Sequence, residues 1–207
     1  MCDSPEDIKQ SLILSYTAEG DSRDVQTLPE WKITERQSFV QRLRAEGKRA
    51  LLEIGPGTGR DALYFQENGL DITCIDITPG MVRLCREKGL NALEMDVCAM
   101  TFPPESFDAV YSVNGLVHLP KNDMKSALAA IDHVLVPGGL FLNYIWGGIS
   151  FEGVREKDDH VPQRYFSFYT DERARRVFGE MFTIEDFRTI DMAGMKAHIQ
   201  VIWMRKA

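Results

Sequence analysis

The 207-residue sequence predicts an α/β fold: a three-layer α/β/α sandwich built on a seven-stranded, mostly parallel sheet with an antiparallel last strand, behind an N-terminal helical cap. Three observations predict it. From Ala50 onward, apolar strand-like runs alternate with stretches of helical period, the pattern of a parallel sheet with helices on both faces. The first of those runs, Leu51-Leu52-Glu53-Ile54, enters a glycine-rich turn, Gly55-Pro56-Gly57-Thr58-Gly59. Two strand-like runs at the end of the chain, Phe182–Ile190 and His198–Met204, face each other across Gly194 as an antiparallel hairpin.

Each element has a local reason. Residues 1–48 precede the sheet. Ile8, Leu12 and Tyr16 share one face of a short helix over Asp7–Ala18, and Pro29 suits the first turn of a second helix that stops at Gly47. The first strand is 50–54. A helix over Thr58–Asn68 follows and ends at Gly69, and the second strand is Ile72–Asp76. Thr78-Pro79 is a cap with proline at the first helical position, opening a helix that buries Met81, Val82, Leu84 and Cys85 and stops at Gly89. Ala92–Met95 is a short third strand leading to Asp96, and Phe107–Val113 is the fourth. The clearest helix, Lys121–Leu135, carries Met124, Ala127, Leu128, Ile131, Val134 and Leu135 on one stripe. Pro137-Gly138-Gly139 reads as a turn before a fifth strand, Leu140–Trp146. Residues 147–169 have no clear period and read as a long loop, functional or disordered, after which Thr170 caps a helix running to Phe178.

Composition narrows the function. A formal net charge of −7 argues against a nucleic-acid backbone as main partner. The four cysteines form no C-x-x-C pair and no histidine lies at zinc-ligand spacing, so no metal site is expected; Cys74, Cys85 and Cys98 sit in apolar runs and read as buried thiols. Acidic Asp3, Glu6 and Asp7 do not suit a signal peptide, and no apolar run is long enough to span a bilayer. A cytoplasmic protein, monomeric or homodimeric, is the expectation.

The glycine turn carries the chemistry. Glycines tolerate backbone angles that other residues resist, let a ligand press on the main chain, and precede the free N–H groups of a helix start. A dinucleotide fingerprint, G-x-G-x-x-G, would need glycine where Arg60 stands; the pattern here is E-x-G-x-G-x-G. The stretch Leu51–Asp61 resembles motif I of the class I (Rossmann-like) S-adenosylmethionine-dependent methyltransferases, and the small type 11 domains among them, from about Leu51 to Leu142. The resemblance implies one methyltransferase domain over 1–207, with a cofactor-binding core at 49–146, a cap at 1–48 and a substrate-side segment at 147–207. It implies S-adenosylmethionine as cofactor and a small-molecule acceptor.

Asp76, about 20 residues past the turn, is placed to accept from both ribose hydroxyls, although NAD enzymes use the same position and a helix-capping role is the other reading. The resemblance gives Asp96 the adenine amino group and the N–H of Val97 the ring; a solvent-exposed turn aspartate is the alternative. Ile77 would offer adenine an apolar face, with Met81 beside it. Gly55, Gly57 and Gly59 form the loop, the first two passing under the methionine part. Glu53, otherwise a costly charge on a buried strand, would be compensated by the methionine ammonium or by loop N–H groups. Asn114 and Gly115 would lie beside the sulfonium, and no N-P-P-Tyr motif of DNA amino-group methylases is present.

On the acceptor side two readings stand for each residue. His118 is a general base or a packing histidine. Tyr16 and Trp31 line the acceptor site or pack the cap. Arg164 meets a substrate carboxylate, beside Tyr165 and the Trp146 strand end, or is a surface arginine among aromatics. Three rivals to small-molecule methylation are methylation of RNA or protein, a non-catalytic cofactor-binding scaffold, and an NAD-dependent oxidoreductase. Arg60 and the lack of a Tyr-x-x-x-Lys pair oppose the last.

Overall fold

The computed structural model describes residues 4–23 and 28–207; Cys2 and Asp3 lie outside the described residues. Nine strands and six helices are found among them: α1 (Pro5–Arg23), α2 (Glu30–Ala45), β1 (Ala50–Ile54), α3 (Arg60–Glu67), β2 (Asp71–Asp76), α4 (Pro79–Glu87), β3 (Asn91–Glu94), β4 (Phe107–Val113), α5 (Lys121–Val134), β5 (Leu135–Gly147), β6 (Phe151–Val154), β7 (Tyr165–Phe168), α6 (Asp171–Gly179), β8 (Thr183–Ile190) and β9 (His198–Arg205). Among them no helix is long and apolar enough to cross a membrane, and no group of three or more His, Cys, Asp or Glu is placed to hold a metal ion.

Seven strands form one sheet in the order β3-β2-β1-β4-β5-β9-β8. The first five are parallel, and β9 lies antiparallel between β5 and β8. Because the sheet is covered on both faces, its central strands are apolar at nearly every position rather than alternating. Leu52, Ile54, Val110 and Phe141 pack against the stripe of α5 and against Ala174 and Phe178 of α6. Leu51, Ala109, Tyr111 and Leu142 pack against Phe39 and Leu43 of α2, Phe65 of α3 and Val82 of α4. The helices thus fall as α2, α3 and α4 on one face and α5 and α6 on the other, with α1 lying across α4.

Three expectations are corrected. The segment after Trp146 is not an unstructured loop: Phe151–Val154 and Tyr165–Phe168 pair as a two-stranded hairpin, Phe151 opposite Phe168. Phe166 and Phe168 drop into the α5–α6 core, so the hairpin is anchored by burial that has no helical or alternating period to announce it. Leu135 does not end the helix but starts β5, opposite Phe107; the ladder then skips across Pro137-Gly138-Gly139 to Ala109 opposite Leu140, so the expected turn is an irregularity inside one strand. The helix after the glycine turn starts at Arg60 rather than Thr58, with Gly59 as its N-cap at φ 81°.

Candidate functional site

The chain runs from β1 outward to β2 and β3, then crosses back to β4 on the other side of β1. Such a reversal leaves a crevice beyond the C-terminal ends of the strands. Here it opens as a cavity of ≈ 360 Å³. Its floor is the glycine turn with Glu53 and Ile54; its walls are Asp76 to Thr78, Met95 to Val97 and Val113 to Gly115. Ile8, Lys9, Leu12 and Tyr16 of α1 cover it, with Lys32 of α2 on one side and His118 on another.

Of the residues singled out in the sequence, Glu53, Gly55, Gly57, Asp76, Ile77, Met81, Asp96, Val97, Asn114, Gly115, His118 and Tyr16 line this one cavity. Gly59 does not. A Cβ there would meet Leu90 Cδ1 at 2.7 Å and Cys85 Sγ at 2.9 Å, so its absent side chain lets α3 close on α4. Trp31, Trp146, Arg164 and Tyr165 are not lining residues either. Trp31 packs on the Tyr144 ring at 5.8 Å. Trp146 is wedged between the two cores at the end of β5.

Arg164 is held by its own chain. Asp158 grips it bidentately, Nη2 to Oδ1 at 2.6 Å and Nε to Oδ2 at 2.9 Å, which leaves it unsuited to a substrate carboxylate. That ion pair draws the Asp158 carboxyl down to about 2 against the upward pull of burial. Arg164 Nη1 then donates to Tyr16 Oη at 3.2 Å, and Tyr16 Oη lies 2.6 Å from His118 Nε2. Tyr165 enters through its backbone: His118 Nδ1 is 2.7 Å from its carbonyl oxygen.

The carboxylates divide by environment. Asp76 Oδ1 accepts from the Thr78 N–H at 2.8 Å. Burial pushes its carboxyl up to about 6, although hydrogen bonds from Thr78 and from the Gly57 N–H pull the other way. Asp96 Oδ1 accepts from the Cys98 N–H, and Lys9 Nζ of α1 reaches Oδ2 at 2.6 Å. Nothing in the sequence pattern marks that lysine, which lies 87 positions away in a cap helix of little amphipathic character. Glu53 is 2% exposed. Burial first, and then the neighbouring Asp61, push its carboxyl well above the usual range, opposed by Lys32. Lys32 itself is committed to Asp61 at 2.6 Å. The loop amides do not serve Glu53: the Gly55 N–H donates to Ile75 O and the Gly59 N–H to Pro56 O.

Two buried acceptors of the lining, Glu53 Oε2 and Asn114 Oδ1, have no hydrogen-bond partner among the described residues. Asn114 is also held at φ 57°, a conformation that costs a non-glycine residue energy. An unsatisfied buried acceptor is expensive, so the wall as it stands suits a ligand with a cationic group. Carboxylates at Asp76 and Asp96 suit hydroxyl and amino donors at the other end. The residues present therefore fit an aminoacyl-nucleoside.

Comparison with known proteins agrees. Residues 52–143 match a family model described as a methyltransferase domain. The chain is 31% identical over 132 residues to a 24-methylenesterol C-methyltransferase 2 of Arabidopsis thaliana, covering 59% of this chain and 36% of that protein. It is 30% identical over 106 residues to a demethylmenaquinone methyltransferase of Renibacterium salmoninarum, covering 50% and 44%. The chain thus spans less than half the length of these curated relatives. Among solved structures, the Burkholderia thailandensis 1,6-didemethyltoxoflavin-N1-methyltransferase, with 1,6-didemethyltoxoflavin and S-adenosylhomocysteine bound, superposes with TM-score 0.74 at 22% identity, over 100% of this chain and 92% of that one.

Proposed function

We propose that the chain, whose residues 52–143 match a methyltransferase-domain model, is a class I S-adenosylmethionine-dependent methyltransferase and that it transfers the cofactor's methyl group to a small-molecule acceptor. The observation that carries the reading is the convergence, on one cavity, of two unpartnered buried acceptors, Glu53 Oε2 and Asn114 Oδ1, with the carboxylates of Asp76 and Asp96.

Each residue has a task. Asp76 accepts from the ribose hydroxyls. Asp96 accepts from the adenine amino group, sharing Oδ2 with Lys9, and the Val97 N–H meets the ring. Ile77 and Met81 give adenine its apolar surface. Gly55 and Gly57 bring the main chain under the methionine part, Glu53 takes the ammonium, and Asn114 with Gly115 faces the sulfonium. When bound, the cofactor supplies a methyl on positively charged sulfur, open to in-line displacement. The chain contributes position, and α1 lies over the cavity. Holding nucleophile and methyl in line accounts for about 7–11 kcal/mol of such a barrier.

Support for a small acceptor is threefold: the net charge of −7, a covered cavity rather than an open groove, and relatives whose names specify sterol, menaquinone and toxoflavin chemistry. The test is to incubate the protein with methyl-labelled S-adenosylmethionine and a cell extract split into small-molecule, RNA and protein fractions. Label is expected in the small-molecule fraction; label confined to RNA or protein contradicts the proposal.

A further inference from the structure

Both ring nitrogens of His118 are engaged, and that decides how it can act. A carbonyl oxygen only accepts, so the 2.7 Å contact with Tyr165 O fixes the proton of the neutral imidazole on Nδ1. Nε2 is then an acceptor, and the 2.6 Å contact from Tyr16 is an O–H donation into it. His118 therefore cannot meet an acceptor molecule directly through Nε2; Tyr16 stands there. Tyr16 is fixed in turn by Arg164, whose Nη1 donates to its oxygen at 3.2 Å and whose other nitrogens Asp158 holds. The cation lies 5.4 Å from the Tyr16 ring and 5.2 Å from that of Phe166, which itself lies 4.7 Å from the imidazole. Four residues from three segments thus aim one phenol oxygen. Tyr16 and His118 both line the cavity, as do Asn114 and Gly115.

Resting on the methyl-transfer reading above, we propose that Tyr16 takes the acceptor's proton and passes its own to His118, and that the acceptor is a weakly acidic hydroxyl, phenolic or enolic. The acceptor oxygen's lone pair forms the new O–CH3 bond, and the electron pair of the broken S–C bond stays on sulfur. The acceptor's proton moves to Tyr16 Oη as the Tyr16 proton moves to His118 Nε2. The positive charge lost at sulfur ends on the imidazolium, where Nδ1–H still donates to Tyr165 O and Nε2–H to Tyr16. Substrate chemistry follows from the strength of this base. A neutral amine attacks with its lone pair and needs no base beforehand, and a thiol is partly ionised in water. An alkyl alcohol is too weak an acid for imidazole to help, whereas a phenol or enol lies within its reach.

The experiment compares wild type with Tyr16→Phe, which keeps the ring against His118 and Arg164 and removes only the hydroxyl. Binding of S-adenosylhomocysteine is measured by calorimetry. Methyl transfer from labelled S-adenosylmethionine is measured to two probes, phenol, which is protonated at neutral pH, and pentafluorophenol, which is already ionised. Expected is unchanged binding, a kcat loss of about 10²-fold or more on phenol, and little loss on pentafluorophenol. Equal rates for the two proteins on phenol, an equal loss on both probes, or no transfer to either probe by a protein that binds S-adenosylhomocysteine would overturn the relay. Absence of that binding in the wild type would instead remove the methyltransferase reading beneath it.

Discussion

Gly55 and Gly115 meet backbone to backbone: a Cβ on Gly55 would lie 2.8 Å from the Gly115 Cα. The glycine turn after β1 and the strand end after β4 are thereby locked together, and both line the cavity. Gly57, two residues on, is different. It has φ 56°, and a Cβ there would meet nothing within 4 Å. Gly55→Ala is therefore expected to cost about 1–3 kcal/mol from the forced contact, with a further ~1–2 kcal/mol from its left-handed backbone. Gly57→Ala should pay only that backbone term. Urea denaturation of both variants checks this; equal losses would mean that the Gly55–Gly115 contact does not matter.

Glu53 sets stability against binding. Its buried carboxylate has an oxygen without a partner, and burial resists its ionisation. Glu53→Gln should raise the thermal midpoint of the ligand-free protein. It should also weaken S-adenosylmethionine by about 10-fold or more, the worth of a charge-assisted hydrogen bond. Calorimetry and a melting curve on the same sample read both; a variant that melts lower and binds equally well would place the ammonium elsewhere.

Asp76 gives binding a pH dependence. Ribose hydroxyls donate to the ionised carboxylate, and in the ligand-free protein that carboxyl titrates at about 6. Above that pH affinity should be level. Below it affinity should fall, approaching tenfold per pH unit, until the unfolding of other groups intervenes. Asp76→Asn should bind weakly with no inflection there. A wild-type profile without that inflection would separate Asp76 from the ligand.

A surface network should show in acid. Glu46 lies between Arg42 and Arg205, whose hydrogen bonds hold its carboxyl at about 2. A carboxyl depressed below its ordinary 4.5 stabilises the fold fully above that pH and loses the contribution as pH falls toward 2. The glutamate is a quarter exposed, so solvent screening limits Glu46→Gln to about 1 kcal/mol near neutrality. That difference should vanish in acid; a constant difference between the two proteins would contradict it.

Much of the cavity was legible because its residues sit at or near strand ends, where an apolar run stops beside a glycine or an acidic residue. Glu53, Asp76, Asp96 and Asn114 all announce themselves that way. The cover was legible in part: the helical cap and the shared face of Ile8, Leu12 and Tyr16 could be read from the sequence, but the polar partners that fix it could not. Lys9, Tyr16 and Arg164 come from segments far apart in the chain, and only tertiary packing brings Arg164 to Tyr16 or Lys9 to Asp96. Trp31 and Lys32 are neighbours in sequence but only Lys32 lines the cavity, and the weak apolar pattern of α2 does not say which of them does. The β6–β7 hairpin escaped for a similar reason: its buried positions, Phe166, Ser167 and Phe168, are consecutive, because both faces of β7 are covered.

The most direct single measurement is a calorimetric titration of the protein with S-adenosylhomocysteine, beside Asp76→Ala. Binding near micromolar affinity that the substitution abolishes is the expected result, and it would establish that the cavity beneath α1 holds the cofactor. A folded protein that does not bind, or an Asp76→Ala variant that binds as tightly as the wild type, would contradict it.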